Sequence, residues 1–193
     1  DWLSKSNFIA NKEKNDSIET LHLKRRYSHY GCSEKRILER GTEIEDFTHQ
    51  QWNKMDLFNL REGRKTKLDS RMNFYKEHVS KSFSELFENS TKESLEYLIH
   101  VTCTGYLSPS PAQEFITNRG LGETCNVLHL YHMGCYASLP AIKTAKALLR
   151  DTQKKITIVH NELCTLHFNP WDSSPQQLVI HSLFSDGHIK YTV

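Results

Sequence analysis

From Leu68 onward the apolar positions fall into a regular order. Met72, Tyr75, Val79, Phe83, Leu86 and Phe87 recur at helical spacing. That puts one apolar stripe on a helix expected to end near Asn89-Ser90. Tyr97-Leu98-Ile99-His100-Val101-Thr102 then forms a short apolar run suited to a buried strand. Ser108-Pro109-Ser110-Pro111 breaks the chain, with Pro111 placed for the first turn of a helix over Ala112 to Asn118 that stops at Arg119-Gly120. Val127 to Tyr131 predicts a second strand. It leads through Met133-Gly134-Cys135-Tyr136-Ala137 into a helix carrying Ala141, Ala145, Leu148 and Leu149. Ile156 to Val159 predicts a third strand, Pro175 to Leu183 a further helix, and His188 to Val193 a last strand. Helix and strand thus alternate over 68–193 with short connectors, which predicts an α/β layered fold with a mostly parallel sheet.

Residues 1–67 follow no such order. They are polar and irregular, and Ser33 to Leu60 reads as helical pieces separated by loops. We treat 1–67 as the N-terminal part of the same domain and 68–193 as its core. The chain does not open on Met, so its natural start is expected elsewhere. Its first residues, Asp1-Trp2-Leu3-Ser4-Lys5, lack the pattern of a signal peptide.

The 193 residues include 37% hydrophobic and 25% charged side chains, an ordinary globular balance. No apolar run is long enough to span a membrane. A formal net charge of +2 is too small to argue for nucleic acid as a partner. The local basic group Arg61, Arg64, Lys65, Lys67 and Arg71 reads first as a solvated face and second as a site for a phosphate-bearing ligand. Five cysteines at irregular spacing (Cys32, Cys103, Cys125, Cys135, Cys164) support neither a disulfide framework nor zinc. Free thiols fit a reducing compartment, hence the cytoplasm. None of the eleven histidines pairs at i, i+4 beside a carboxylate, so no metal is expected.

Cys135 carries the candidate chemistry. A strand delivers Gly134, which lets the chain turn sharply, and then a thiol at the start of a helix. There a thiol meets the positive end of the helix dipole and unsatisfied amides, which favour a thiolate and can stabilise an oxyanion. A buried structural cysteine is the plainer alternative. His132, three residues earlier, reads as a satisfied half-buried residue, and His160 as a strand-end residue with a smaller claim on a pocket.

Several segments carry a resemblance. Gly134-Cys135-Tyr136-Ala137 followed by Leu139-Pro140-Ala141 resembles the nucleophile motif of chalcone synthase-like type III polyketide synthases. Lys24-Arg25-Arg26-Tyr27, Leu68-Asp69-Ser70-Arg71, Val101-Thr102-Cys103-Thr104-Gly105, Glu162 within His160 to Cys164, and Ser182-Leu183-Phe184-Ser185-Asp186-Gly187 are similar to that family in the same order. The resemblance runs over residues 24–193.

It implies the N-terminal half of a thiolase-like fold, in an enzyme that is usually a homodimer, with the other half of the fold beyond this chain. It implies an acyltransferase in which Cys135 takes a starter acyl group from acyl-CoA and a malonyl-CoA-derived carbanion attacks the thioester, giving a pyrone or resorcinol polyketide. No cofactor is implied. Phe184 matches a gatekeeper phenylalanine. Thr104, Cys164 and Ile180 match pocket positions, of which Cys164 departs from a threonine and Ile180 from a glycine. The family's catalytic His and Asn belong to the absent half. One alternative is a ketosynthase joining two β-ketoacyl chains held on acyl carrier protein, in which Lys24 to Arg26 would bear on docking. Another is a non-catalytic half-domain that needs a partner chain.

Overall fold

A computed structural model describes residues 2–10, 17–33, 35–49, 51, 54–58, 66–88 and 95–193. Arg61, Arg64 and Lys65 of the basic group, and the expected helix end at Asn89-Ser90, lie outside the described residues. The chain divides into two compact units. Unit 1 joins Asp1–Arg71 to Leu163–Asp186, and unit 2 joins Met72–Glu162 to Gly187–Val193.

Unit 2 is built on a four-stranded sheet in the order β2-β1-β3-β4. Its strands are β1 (Tyr97–Thr102), β2 (Asn126–Tyr131), β3 (Ile156–Leu163) and β4 (Asp186–Thr192). β1 pairs in parallel with both β2 and β3, with His100 opposite His129 and Val159. β4 runs the other way: Ile156 and Val193 exchange both backbone hydrogen bonds at 3.0 Å, the signature of an antiparallel pair. The sheet is therefore mostly parallel, as the alternation of elements predicts. β3 continues four residues past the predicted end at Val159, and β4 begins two residues before His188.

Each face of the sheet meets a helix whose apolar stripe was legible in the sequence. The helix that becomes α4 (Leu68–Leu86) buries Met72, Tyr75, Val79 and Phe83. Phe83 packs edge-on against His100 with centroids 5.2 Å apart. The helix that becomes α6 (Ser138–Thr152) presents Ala141 and Ala145 to Ile99, Val101, Ile156 and Ile158 on the opposite face. Small residues on the helix let it sit close on a β-branched strand surface. Between them α5 (Pro111–Asn118) starts at a capping box, in which Ser110 Oγ accepts from Gln113 N and Gln113 Oε1 accepts from Ser110 N. It ends at Gly120 with φ +71°, which glycine adopts without strain.

The α4 face of the sheet also buries a polar chain. Tyr131 OH lies 2.6 Å from His100 Nδ1, His100 Nε2 lies 3.1 Å from Asn161 Oδ1, and Asn161 Nδ2 reaches Ser82 and His188. Because Asn161 Oδ1 can only accept, His100 donates from Nε2 and accepts at Nδ1. The linked side chains of Tyr131, His100 and Asn161 thus find partners that fit them.

Unit 1 contains α1 (Trp2–Ala10), α2 (Ser17–Tyr30), α3 (Glu45–His49) and α7 (Pro175–Leu183). The N-terminal segment is thus more helical than its irregular pattern suggests. Within Ser33 to Leu60, however, α3 is the only α-helix among the described residues. The loop after α3 is organised by Asp46, buried to 2% exposure, whose carboxylate accepts from the backbone N–H groups of Asp56, Leu57 and Phe58. Phe47, Phe58 and Phe168 pack edge to face around it, with centroids 5.1 to 5.6 Å apart. α2 and α7 approach at Gly31, where a Cβ would meet Tyr27 O at 2.6 Å and the Ser182 side chain. The neighbouring Cys32 N–H donates to Ser182 Oγ. Among the described residues no helix is long and apolar enough to cross a membrane.

Candidate functional site

Cys135 sits where β2 gives way to α6. The ladder extends one residue past β2, with His132 N donating to Thr102 O at 3.0 Å. His132 and Gly134 then both take positive φ, 58° and 71°. These two left-handed residues fold the chain into the 3-10 turn Gly134–Tyr136, and α6 begins at Ser138 with Ala137 as its N-cap. Nothing would meet a Cβ at Gly134, so glycine serves the backbone conformation there rather than close approach. The thiol thus belongs to the 3-10 turn leading into the helix, not to the first turn of the helix itself.

His132 departs from the half-buried role expected of it. It is exposed, and its ring stacks on exposed Tyr106 with centroids 4.6 Å apart and planes 11° from parallel. A non-glycine residue in the left-handed region costs roughly 1–2 kcal/mol, and such strain concentrates near functional sites. His160 is occupied by Tyr191, with Nε2 2.9 Å from the phenol oxygen and the rings stacked.

The five thiols differ sharply in environment. Cys135 is exposed, Cys125 is buried, and Cys32, Cys103 and Cys164 are intermediate. Burial pushes the Cys125 thiol up to about 11. Burial, then the Glu162 carboxylate and then Cys135, push the Cys103 thiol up to about 11.

Glu162, near the end of β3, gathers the end of β1. Its carboxylate accepts from Cys103 N at 2.9 and 3.1 Å, from Thr104 Oγ1 at 2.7 Å and from Thr102 Oγ1 at 3.3 Å. Thr104 is therefore a buried hydroxyl committed to Glu162. Gly105 follows it because a Cβ there would collide with the Tyr75 ring.

Three other candidate residues come together in unit 1. Cys164, Ile180 and Phe184 line one cleft of about 360 Å³, together with Arg40, His167 and Phe168. Thr104 and Cys135 belong to unit 2. Sequence reading missed Arg40, His167 and His181, because no periodicity or spacing marks them. His181, also in the cleft wall, is buried and held on both nitrogens. Asn169 N–H donates to Nε2 at 3.2 Å and Gln177 Nε2 lies 2.7 Å from it, so the proton resides on Nδ1, facing Tyr27 OH at 3.1 Å. Burial lowers the imidazole to about 4. Among the described residues no cluster of three His, Cys, Asp or Glu side chains could hold a metal ion.

Comparison with known proteins decides the family. The family profile described as chalcone and stilbene synthases, N-terminal domain, matches residues 13–192. The chain belongs to the chalcone and stilbene synthase family. Over 103 residues it is 32% identical to "Probable polyketide synthase 1" of Dictyostelium discoideum, covering 53% of this chain and 3% of that protein. Over 94 residues it is 30% identical to the 1,3,6,8-tetrahydroxynaphthalene synthase of Streptomyces coelicolor, covering 48% of this chain and 25% of the relative.

Among solved structures, PKS-I of the brown alga Ectocarpus siliculosus superposes with a TM-score of 0.75 at 22% identity, over 98% of this chain and 51% of that one. The Streptomyces coelicolor tetrahydroxynaphthalene synthase, a bacterial type III polyketide synthase, gives 0.62 at 20% identity, over 99% and 52%. These likenesses show the thiolase-like fold of type III polyketide synthases. The chain spans about half the length of the solved chains it matches.

Proposed function

We propose that this family member supplies the nucleophile-bearing half of a Cys-dependent acyltransferase. The Cys135 thiolate attacks the carbonyl of a starter acyl-CoA, forms a thioester and releases coenzyme A as the leaving thiol. Decarboxylation of malonyl-CoA yields an enolate that attacks the thioester carbonyl. A carbon–carbon bond forms, the carbon–sulfur bond breaks, and the thiolate leaves. Repeated extension and ring closure give a pyrone or resorcinol polyketide. Phe184, Cys164 and Ile180 shape the acyl chamber, and Thr104 steadies the strand end near the nucleophile. The His and Asn that would support the thiolate and the enolate oxygen come from the second half of the fold. The working form is a cytoplasmic homodimer.

The observation that carries this reading is Cys135 itself. It is the exposed thiol of the five, set in a strained strand-to-helix turn, in a chain of this family. The Cys103 and Cys125 thiols, both near 11, are poor competitors at neutral pH.

The test is mass spectrometry of the full-length protein after incubation with a panel of acyl-CoA thioesters. An acyl increment on the Cys135 peptide, absent from Cys135→Ala, is expected. Loading on another cysteine, or product formation by Cys135→Ala, overturns the assignment.

A further inference from the structure

Arg40 lies in the segment between α2 and α3 and lines the unit 1 cleft. Its Nη1 donates to two carbonyls at the C-terminal end of α7, His181 O at 2.5 Å and Phe184 O at 3.1 Å. Carbonyls at a helix C-terminus carry partial negative charge and fix a cation well. These two bonds use both Nη1 protons and leave the Nε and Nη2 donors of the planar guanidinium.

Among the described residues no carboxylate forms an ion pair with this charge, and no residue lining the cleft is an Asp or Glu. The nearby carboxylate of Asp186 is committed to Glu43 N, Thr165 N and Thr165 Oγ1. Asp172 accepts from Ser174 N. Arg40 is exposed as a residue, yet burial around the guanidinium lowers its pKa from the ordinary arginine value. A ligand can reach it, while water solvates it incompletely. A held cation of this kind favours a carboxylate, which a guanidinium binds through paired hydrogen bonds. The cleft beside it is walled by Phe47, Phe168, Ile180 and Phe184, which suit a methylene chain.

We infer that Arg40 is an anion anchor that makes this cleft selective for acyl groups bearing a carboxylate at the end remote from the thioester. The inference rests on the reading of the cleft as the acyl chamber and adds the class of acyl group it prefers.

The test is calorimetric titration of the full-length Cys135→Ala protein, which binds without reacting. The probes are the adipoyl and hexanoyl thioesters of N-acetylcysteamine, which share a chain and differ by one terminal carboxylate. Adipoyl is expected to bind at least tenfold tighter, a preference that falls to about twofold or less in Arg40→Gln and partly survives in Arg40→Lys. Equal affinities, tighter binding of hexanoyl, no binding of adipoyl, or an undiminished preference in Arg40→Gln overturns the proposal.

Because Arg40 also holds the end of α7, each variant is first checked by thermal melting. Ile180→Trp serves as a second variant: Ile180 lines the cleft, is 40% exposed and accepts neither of the two Arg40 Nη1 bonds. It is expected to weaken both thioesters about tenfold, and unchanged adipoyl binding there overturns the proposal. Acyl loading separates the two readings. If hexanoyl but not adipoyl loads wild-type Cys135, the acyltransferase reading survives and the anchor does not. If neither loads, the acyltransferase reading falls, while the titration still decides on Arg40.

Discussion

The Glu162 carboxylate holds the Cys103 backbone N–H between both of its oxygens, at 2.9 and 3.1 Å. One carboxylate thereby fixes the carboxyl end of β1 to β3 and sets the charge that the Cys103 thiol feels. Hydrogen bonds to a charged group contribute roughly 1.5–3 kcal/mol each to stability. Glu162→Gln keeps the shape, removes the charge and replaces one acceptor by a donor. It is expected to cost about 1–3 kcal/mol. It should also speed alkylation of Cys103, because the negative charge that raises this thiol is gone. Urea melts and timed iodoacetamide mapping read the two effects, and an unchanged Cys103 labelling rate argues against the electrostatic link.

Gly105 is a packing requirement. A Cβ there would run into the ring of Tyr75, which is 1% exposed and donates from its hydroxyl to Asn161 O. The ring has no room to yield. Gly105→Ala is expected to destabilise the fold by about 1–3 kcal/mol, the usual cost of overpacking. A melting temperature within error of wild type would show that the ring can move.

Stability should fall with acid before the carboxylates titrate. Burial is the first cause that lowers His100 to about 3 and His181 to about 4, against 6.5 for an ordinary imidazole. For a group whose folded pKa is depressed, the stability is complete above the unfolded value. It is lost as pH falls below about 6.5 towards the folded values. Each histidine contributes up to about 1.4 kcal/mol per pH unit in that window. Thermal melts from pH 7.5 to 5 should therefore decline steadily below 6.5. A flat profile would mean that neither imidazole is held below its ordinary pKa in the fold.

Phe184 is half-buried at the end of α7, its backbone N–H bonded to Ile180 O while its side chain lines the cleft. Truncating a fully buried phenylalanine costs about 3–5 kcal/mol. Phe184→Ala should cost less than that and should shift the acyl chain length accepted. Melts and product analysis with acyl-CoA thioesters of graded length decide it. A full-sized stability loss with unchanged selectivity would mark Phe184 as core.

Much of unit 2 was decided by the sequence alone. Met72, Tyr75, Val79 and Phe83 stand at helical spacing in the sequence and are buried along α4. The apolar runs at Tyr97, Val127 and Ile156 become strands, and Pro111 opens α5. Such residues report their own burial through local periodicity, which survives in a linear string. In unit 1 the helix α7 was legible over Pro175 to Leu183, whereas α1 and α2 left no such trace. In α2 only Leu23 is buried among the residues from Leu21 to Tyr30, so no stripe announces it.

The direction of β4 was equally silent, because the residues of a strand do not state which way its neighbour runs. Cys164, Ile180 and Phe184 were named as pocket positions through the resemblance, while the rest of the cleft wall depended on the tertiary structure. Arg40 meets His181 across 141 positions, and Tyr27 meets the same histidine across 154. Contacts at such separation are made by packing helices together, and no local pattern of polar and apolar residues encodes which distant polar groups will share one wall.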